Sequence, residues 1–181
     1  MSTSCFIGTQ RESGYIRGII CTHDGYPKYV GTILHCKYQN LNKIDKLISL
    51  GGISILGENI EPKSNEPHGY PDYQRCTVLA YKRDLSSYSN IGIDADIKKS
   101  VRISDLGLMG VDYAYIWDIV GKYWRTYKVE GIDISKINEI KIDYRCYIKN
   151  LEDVRYMTSC TSQEIDKVKK DYKKISKRVL T

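Results

Sequence analysis

At 181 residues with 41% apolar content, the chain is long enough for one folded domain with a real core. The net charge of +6, from 28 basic and 22 acidic residues, is below that of a dedicated nucleic-acid protein. Residues 162–181, with seven Lys/Arg against three Asp/Glu, supply +4 of it, and no stretch approaches the ~20 apolar residues that span a bilayer.

Residues 5–9 and 15–22 read as two strands joined by a polar turn around Gly14. Asp24, Gly25, Tyr26 and Pro27 then form a tight-turn signal, with Gly25 expected to supply a positive φ. Residues 31–38 and 41–50 read as two helices. In the second, Ile44, Leu47 and Ile48 share one face, and Gly51-Gly52 caps the end. Residues 53–57 read as a compact apolar turn. Residues 58–73 hold three Pro, three Glu and few aliphatics, the mark of a long irregular surface loop with a function.

Residues 76–82 read as a strand, and 83–104 carry no clear period. Residues 111–129 give the clearest hairpin, with its turn at Val120-Gly121. Residues 140–148 alternate apolar and polar, the pattern of a strand with one polar face. Thr161, Ser162, Gln163 and Glu164 form a capping box. The helix after it carries the stripe Ile165, Val168, Tyr172, Ile175 and Val179, expected to be buried on the sheet or against a second copy of the chain.

The aromatic set is skewed, with 16 Tyr and 2 Trp against 1 Phe. Tyr suits half-buried or binding surfaces, and it also replaces Phe in strands. The six Cys, at 5, 21, 36, 76, 146 and 160, show no CxxC and no regular spacing. The residues after Met1 do not read as a signal peptide, so a cytosolic chain with reduced, inert thiols is expected.

Cys21, His23, His35 and Cys36 have residue types that suit zinc, but their spacing is not a usual zinc pattern. No nucleophile signature surrounds Cys21 or Cys36. Asp24, Glu58, Glu61 and Asp72 are scattered through turns without a paired-carboxylate motif for Mg²⁺ chemistry. Neither known phosphate-cradling glycine loop occurs. No catalytic set, metal or cofactor is therefore expected. Trp124, Arg125, Tyr127 and Lys128 on the hairpin have the composition of a binding surface. Tyr26 and Tyr29 beside the turn, and the outward Lys169, Lys173 and Lys177 of the last helix, are further contact candidates.

The segments 16–21, 24–27, 30–34 and 47–57, with 113–118 and Trp124, resemble a diffuse family of small proteins from phages and other mobile elements. The resemblance covers roughly residues 5–57 and 111–127. Some proteins that look like this family are type II-A anti-CRISPR proteins, which inhibit an RNA-guided effector nuclease. The resemblance implies a host-takeover protein of the bacterial cytosol and supplies no catalytic motif. Its partner would be the type II effector or its guide RNA and target DNA. Two other classes compete: a metal-dependent nuclease that shortens guide RNA, and a sponge for a cyclic nucleotide signal.

The expected fold is α+β: an antiparallel sheet with two N-terminal helices in a domain over 1–160, and a C-terminal basic helix over 161–181 packed on it.

Overall fold

The computed structural model describes residues 2–85, 95–140 and 170. The fold is mixed α+β, built on a mostly antiparallel eight-stranded sheet. β1 (Cys5–Gln10) and β2 (Ile16–Cys21) form a hairpin with all six residues of each strand in register. Its turn closes through Gly14, at φ 80°, whose N–H reaches the Arg11 carbonyl at 2.9 Å. β3 (Ile53–Ile55), β4 (Leu79–Ala80) and β5 (Lys98–Val101) follow. β6 (Tyr113–Asp118), β7 (Tyr123–Val129) and β8 (Ile137–Glu139) complete the sheet. The spatial order is β4-β3-β2-β1-β6-β7-β8, with β5 also on β2. The far edge of β2 is shared: its C-terminal Cys21 takes β3 in parallel, while Ile16 and Gly18 take β5 antiparallel.

The central β1–β6 pairing is parallel, a departure from the antiparallel expectation. β6 lies more than ninety residues after β2, so no turn geometry dictated its direction.

α1 (Thr32–Lys37) and α2 (Leu41–Ser49) are both present, slightly shorter than the expected 31–38 and 41–50. The Asn40 side chain caps α2, accepting from the Asn42 amide at 2.8 Å and the Lys43 amide at 3.4 Å. Gly51, at φ 79°, ends it in the left-handed conformation that favours glycine. Ile44, Leu47 and Ile48 are fully buried. They join Cys5, Ile7, Ile19 and Trp117 in a core between α1, α2 and one sheet face. The opposite face buries Phe6, Ile16, Ile116 and Tyr127 under the 3₁₀ segment Ile103–Met109, through Leu106.

Several expectations are corrected. The positive φ at the first turn belongs to Asp24, at 56°, and not to Gly25. Gly25 is required for a different reason: a Cβ there would lie 2.7 Å from the Ser4 backbone. Residues 53–57 contain strand β3, too short to show a period. In the expected strand 76–82 only Leu79–Ala80 form a strand of the sheet, Thr77 makes an isolated bridge to Asn59, and Tyr81–Asp84 form a helical turn, α3. The hairpin turn spans four residues, with Lys122 at φ 55° and Asp118 capping the Gly121 amide at 2.8 Å. The expected helix over 161–181 and strand over 140–148 lie outside the described residues, apart from Ile140 and Lys170.

Gly8 and Gly18 face each other across β1 and β2, and the Phe6 ring covers both. A Cβ on Gly18 would meet the Ile7 carbonyl at 2.4 Å and the Phe6 ring at 2.5 Å. Gly18→Ala is therefore expected to cost about 1–3 kcal/mol in urea unfolding. Val120→Ala, at an 84% exposed position, should stay within about 0.5 kcal/mol. Equal effects would show that the glycine pair is not under steric constraint.

Candidate binding surface

Residues 58–78 form a long excursion that leaves the sheet after β3 and returns to β4. Its two legs pair at the root: Asn59 donates to the Cys76 carbonyl, and Val78 donates to the Asn59 carbonyl, both at 2.9 Å. Gly57 permits this closure, because a Cβ there would sit 2.5 Å from the Cys76 carbonyl carbon. At the same root Lys37 of α1 pairs with Glu58 at 3.2 Å, both side chains only 10% exposed.

The interior of the loop is polar and wired. The Gln74 amide accepts from the Lys63 amide at 2.7 Å and donates to the carbonyls of Lys63 and Glu66 at 2.9 and 2.8 Å. One side chain thus satisfies three backbone groups that have no ladder partner. His68 Nδ1 accepts from the Gln74 backbone N–H at 3.1 Å, and Nε2 faces the Val78 carbonyl at 3.0 Å and Asp84 Oδ2 at 3.3 Å. Nδ1 is therefore the acceptor nitrogen of the ring. Arg83 grips Asp84 through Nε at 2.6 Å and Nη2 at 2.8 Å, and donates to the carbonyls of Ile60 and Val78 at 2.7 and 2.6 Å. Asp84 also accepts from the Ala80 amide at 2.7 Å. His68 and Asp84 side chains are 4% exposed, so this is a low-dielectric network with strong internal bonds.

The loop presents Glu61, Lys63, Glu66, Asp72, Tyr73 and Arg75 around a groove of about 780 Å³, with Glu61 also 3.6 Å from Arg83 and Lys63 paired with Glu66. Tyr70 stands 64% exposed at the tip. The loop was legible in the sequence as long and proline-rich. Gln74, His68, Arg83 and Asp84 were not singled out, and their one signal is an Arg-Asp pair three residues after the apolar run 78–80.

The residues expected to bind are placed differently. Trp124 is buried in the helix-side core, edge-on to Trp117 at 5.4 Å, its indole N–H donating to the Tyr38 carbonyl at 2.9 Å. Tyr127 is buried in the opposite core. Strand alternation sends the two rings to opposite faces, so they form no common stacking platform. Arg125 holds Glu139 through Nε and Nη2 at 3.0 and 2.6 Å, which raises its pKa further. Lys128 pairs with Glu130. Tyr29 is buried, and half-buried Tyr26 packs against its ring at 6.2 Å. Lys169, Lys173 and Lys177 lie outside the described residues.

A second polar cluster sits at the carboxyl ends of β2 and β3. His23 Nδ1 lies 2.9 Å from Thr22 Oγ1 and 3.1 Å from Ser54 Oγ, and Thr22 Oγ1 is 2.6 Å from the Tyr81 hydroxyl. Cys21, although near in sequence, is buried under it. Among the described residues, no three His, Cys, Asp or Glu side chains come together as a metal site. No helix among them is long and apolar enough to cross a membrane. In comparisons with known proteins, the chain matches no family model, no curated protein and no solved structure.

His35 of α1 faces the core, and burial pushes its pKa down to about 3. The unfolded chain, with an ordinary value near 6.5, binds a proton that the folded chain refuses. Stability is therefore complete above that pH and is lost as pH falls from 6.5 toward 3, by at most about 1.4 kcal/mol per pH unit from this group. Urea midpoints measured from pH 7 to pH 4.5 should fall more steeply for wild type than for His35→Gln. Parallel curves would show that His35 takes up its proton without unfolding.

Proposed function

We propose that this chain acts by binding a protein partner, and that the loop 58–78 is its contact surface. The observation that carries the reading is the fixed loop itself. Its polar side chains hold the backbone in one shape, and Tyr70, Tyr73 and Arg75 are left exposed. Preorganised loops lose little entropy on binding, and Tyr and Arg are favoured at contact centres. The rim mixes both signs, with Glu61, Glu66 and Asp72 beside Lys63 and Arg75. A phosphate backbone selects for one sign, whereas a protein surface accepts both. That balance favours the effector protein over its guide RNA or target DNA.

The family resemblance supplies the partner class: a type II RNA-guided effector nuclease, with the chain as an anti-defence inhibitor. The test is target-DNA cleavage by purified type II effectors with and without the protein. Wild type should inhibit, and Tyr73→Ala with Arg75→Glu should weaken inhibition about tenfold or more. Arg125→Glu should change it little, because Arg125 is engaged with Glu139. Inhibition should fall only mildly between 50 and 200 mM salt, on the order of several-fold and not the ~10³ or more of a phosphate-contacting protein. Failure to inhibit any effector tried would remove the partner class. Full inhibition by the double variant would remove the loop as the surface.

A further inference from the structure

Cys5 and Cys21 stand directly opposite each other at the end of the β1–β2 hairpin. Opposed residues of an antiparallel pair point to the same sheet face. Their Cα atoms lie roughly 4.5–5.5 Å apart, within the about 4.4–6.8 Å that a disulfide spans. Both side chains are fully buried in the core facing α1. The Cys21 S–H donates to the His23 carbonyl at 3.3 Å. The Ser54 carbonyl stands 3.8 Å from the same sulfur. Both are free thiols.

We propose that Cys5 and Cys21 are an oxidisable cross-strand dithiol that forms a disulfide and thereby sets the state of the turn at residues 24–27. The oxidant is a small-molecule disulfide such as oxidised glutathione. Each cysteine gives up its S–H proton and the pair gives up two electrons, forming one S–S bond. The glutathione S–S bond breaks and takes up those two electrons and two protons as two thiols. Exchange proceeds through a mixed disulfide at one cysteine, which the other resolves.

The pair is joined to the turn in two ways, and the turn is itself anchored at Gly25. The His23 carbonyl loses its S–H donor once Cys21 is oxidised. Gly25 packs so closely on Ser4 and Cys5 that a Cβ would lie 2.8 Å from the Cys5 amide nitrogen. The Gly25 carbonyl is held by the buried Tyr115 hydroxyl at 2.9 Å, and its amide donates to Thr3 at 2.9 Å. A shift at Cys5 or Cys21 is therefore felt by Gly25 and passed to Tyr26 and Pro27. Burial raises the Cys5 pKa well above the ordinary thiol value, so the reduced pair resists exchange while the hairpin is closed. Oxidation then waits on local opening of the hairpin end. The inference stands apart from the binding reading.

The test uses the full chain in a series of reduced-to-oxidised glutathione buffers, quenched by alkylation. Lys and Arg are placed so that trypsin leaves the six cysteines on six separate peptides. Peptide 1–11 joined to 18–28, two hydrogens lighter than the reduced pair, is expected from most of the chain in the oxidising buffers. It should disappear on adding dithiothreitol. Amide exchange at residues 22–28 should differ between the two forms by severalfold, while residues 41–50 stay unchanged. In wild type alone, links only among the other cysteines would overturn the proposal. So would linkage of 1–11 to 18–28 only in urea. A disulfide that formed but left exchange at 22–28 unaltered would overturn its coupling to the turn.

Discussion

Everything on the helix side of the sheet depends on aromatic side chains that are buried along their length and hydrogen-bonded at their tips. The Trp124 indole N–H donates to the Tyr38 carbonyl, at the end of α1 where the helix leaves that oxygen without a partner. The Tyr38 hydroxyl donates to the Gly57 carbonyl at 2.6 Å, where the chain leaves β3 for the long loop. The Tyr115 hydroxyl donates to the Gly25 carbonyl at the first turn. Each tip reaches a backbone carbonyl that neither sheet nor helix ladder serves. An unsatisfied buried carbonyl costs roughly 1–3 kcal/mol, so Phe would be a poorer residue at these positions. The excess of Tyr over Phe in this chain has a structural origin at Tyr38 and Tyr115, in the core rather than on a binding face.

The same economy explains the loop. A twenty-residue segment without regular structure ordinarily leaves many backbone groups to water. Here Gln74, His68, Arg83 and Asp84 serve those groups from within, and the Lys37–Glu58 pair closes the root. Tyr38 links this root to the core. The loop is held for the same reason the helix layer is docked: the carbonyls of Lys63, Glu66 and Val78 in the loop, like those of Tyr38, Gly57 and Gly25, accept from buried or half-buried side chains. A loop held in this way suits the contact surface proposed for it. The hydroxyl–imidazole cluster at His23 and Ser54 lacks a carboxylate to orient the ring among its observed partners, so no nucleophilic dyad is assigned there.

Much of this fold was readable from local rules. The two hairpins, the apolar face of α2 and its cap at Gly51 follow from period and turn chemistry, and they are present. The parallel β1–β6 pairing was not readable, since it joins segments about a hundred residues apart with no local signal. Nor was the exchange of roles at the first turn, where Asp24 bears the positive φ and Gly25 is needed for close packing. Both explanations call for glycine, and only the packing separates them. The site was legible as a loop but not as residues. Composition placed Trp124 and Tyr127 among binding candidates because it does not report which face of a strand is covered. Here both faces are.

Buried aromatic tips hold the core and the loop root as one unit. Tyr38→Phe tests it with the loss of a single oxygen. Urea unfolding should show a loss of about 1–3 kcal/mol. Amide exchange at Asn59 and Val78, which pair across the loop root, should quicken together. A variant within about 0.5 kcal/mol of wild type, with unchanged exchange at those two amides, would show that the Tyr38 hydroxyl does not join the core to the loop root.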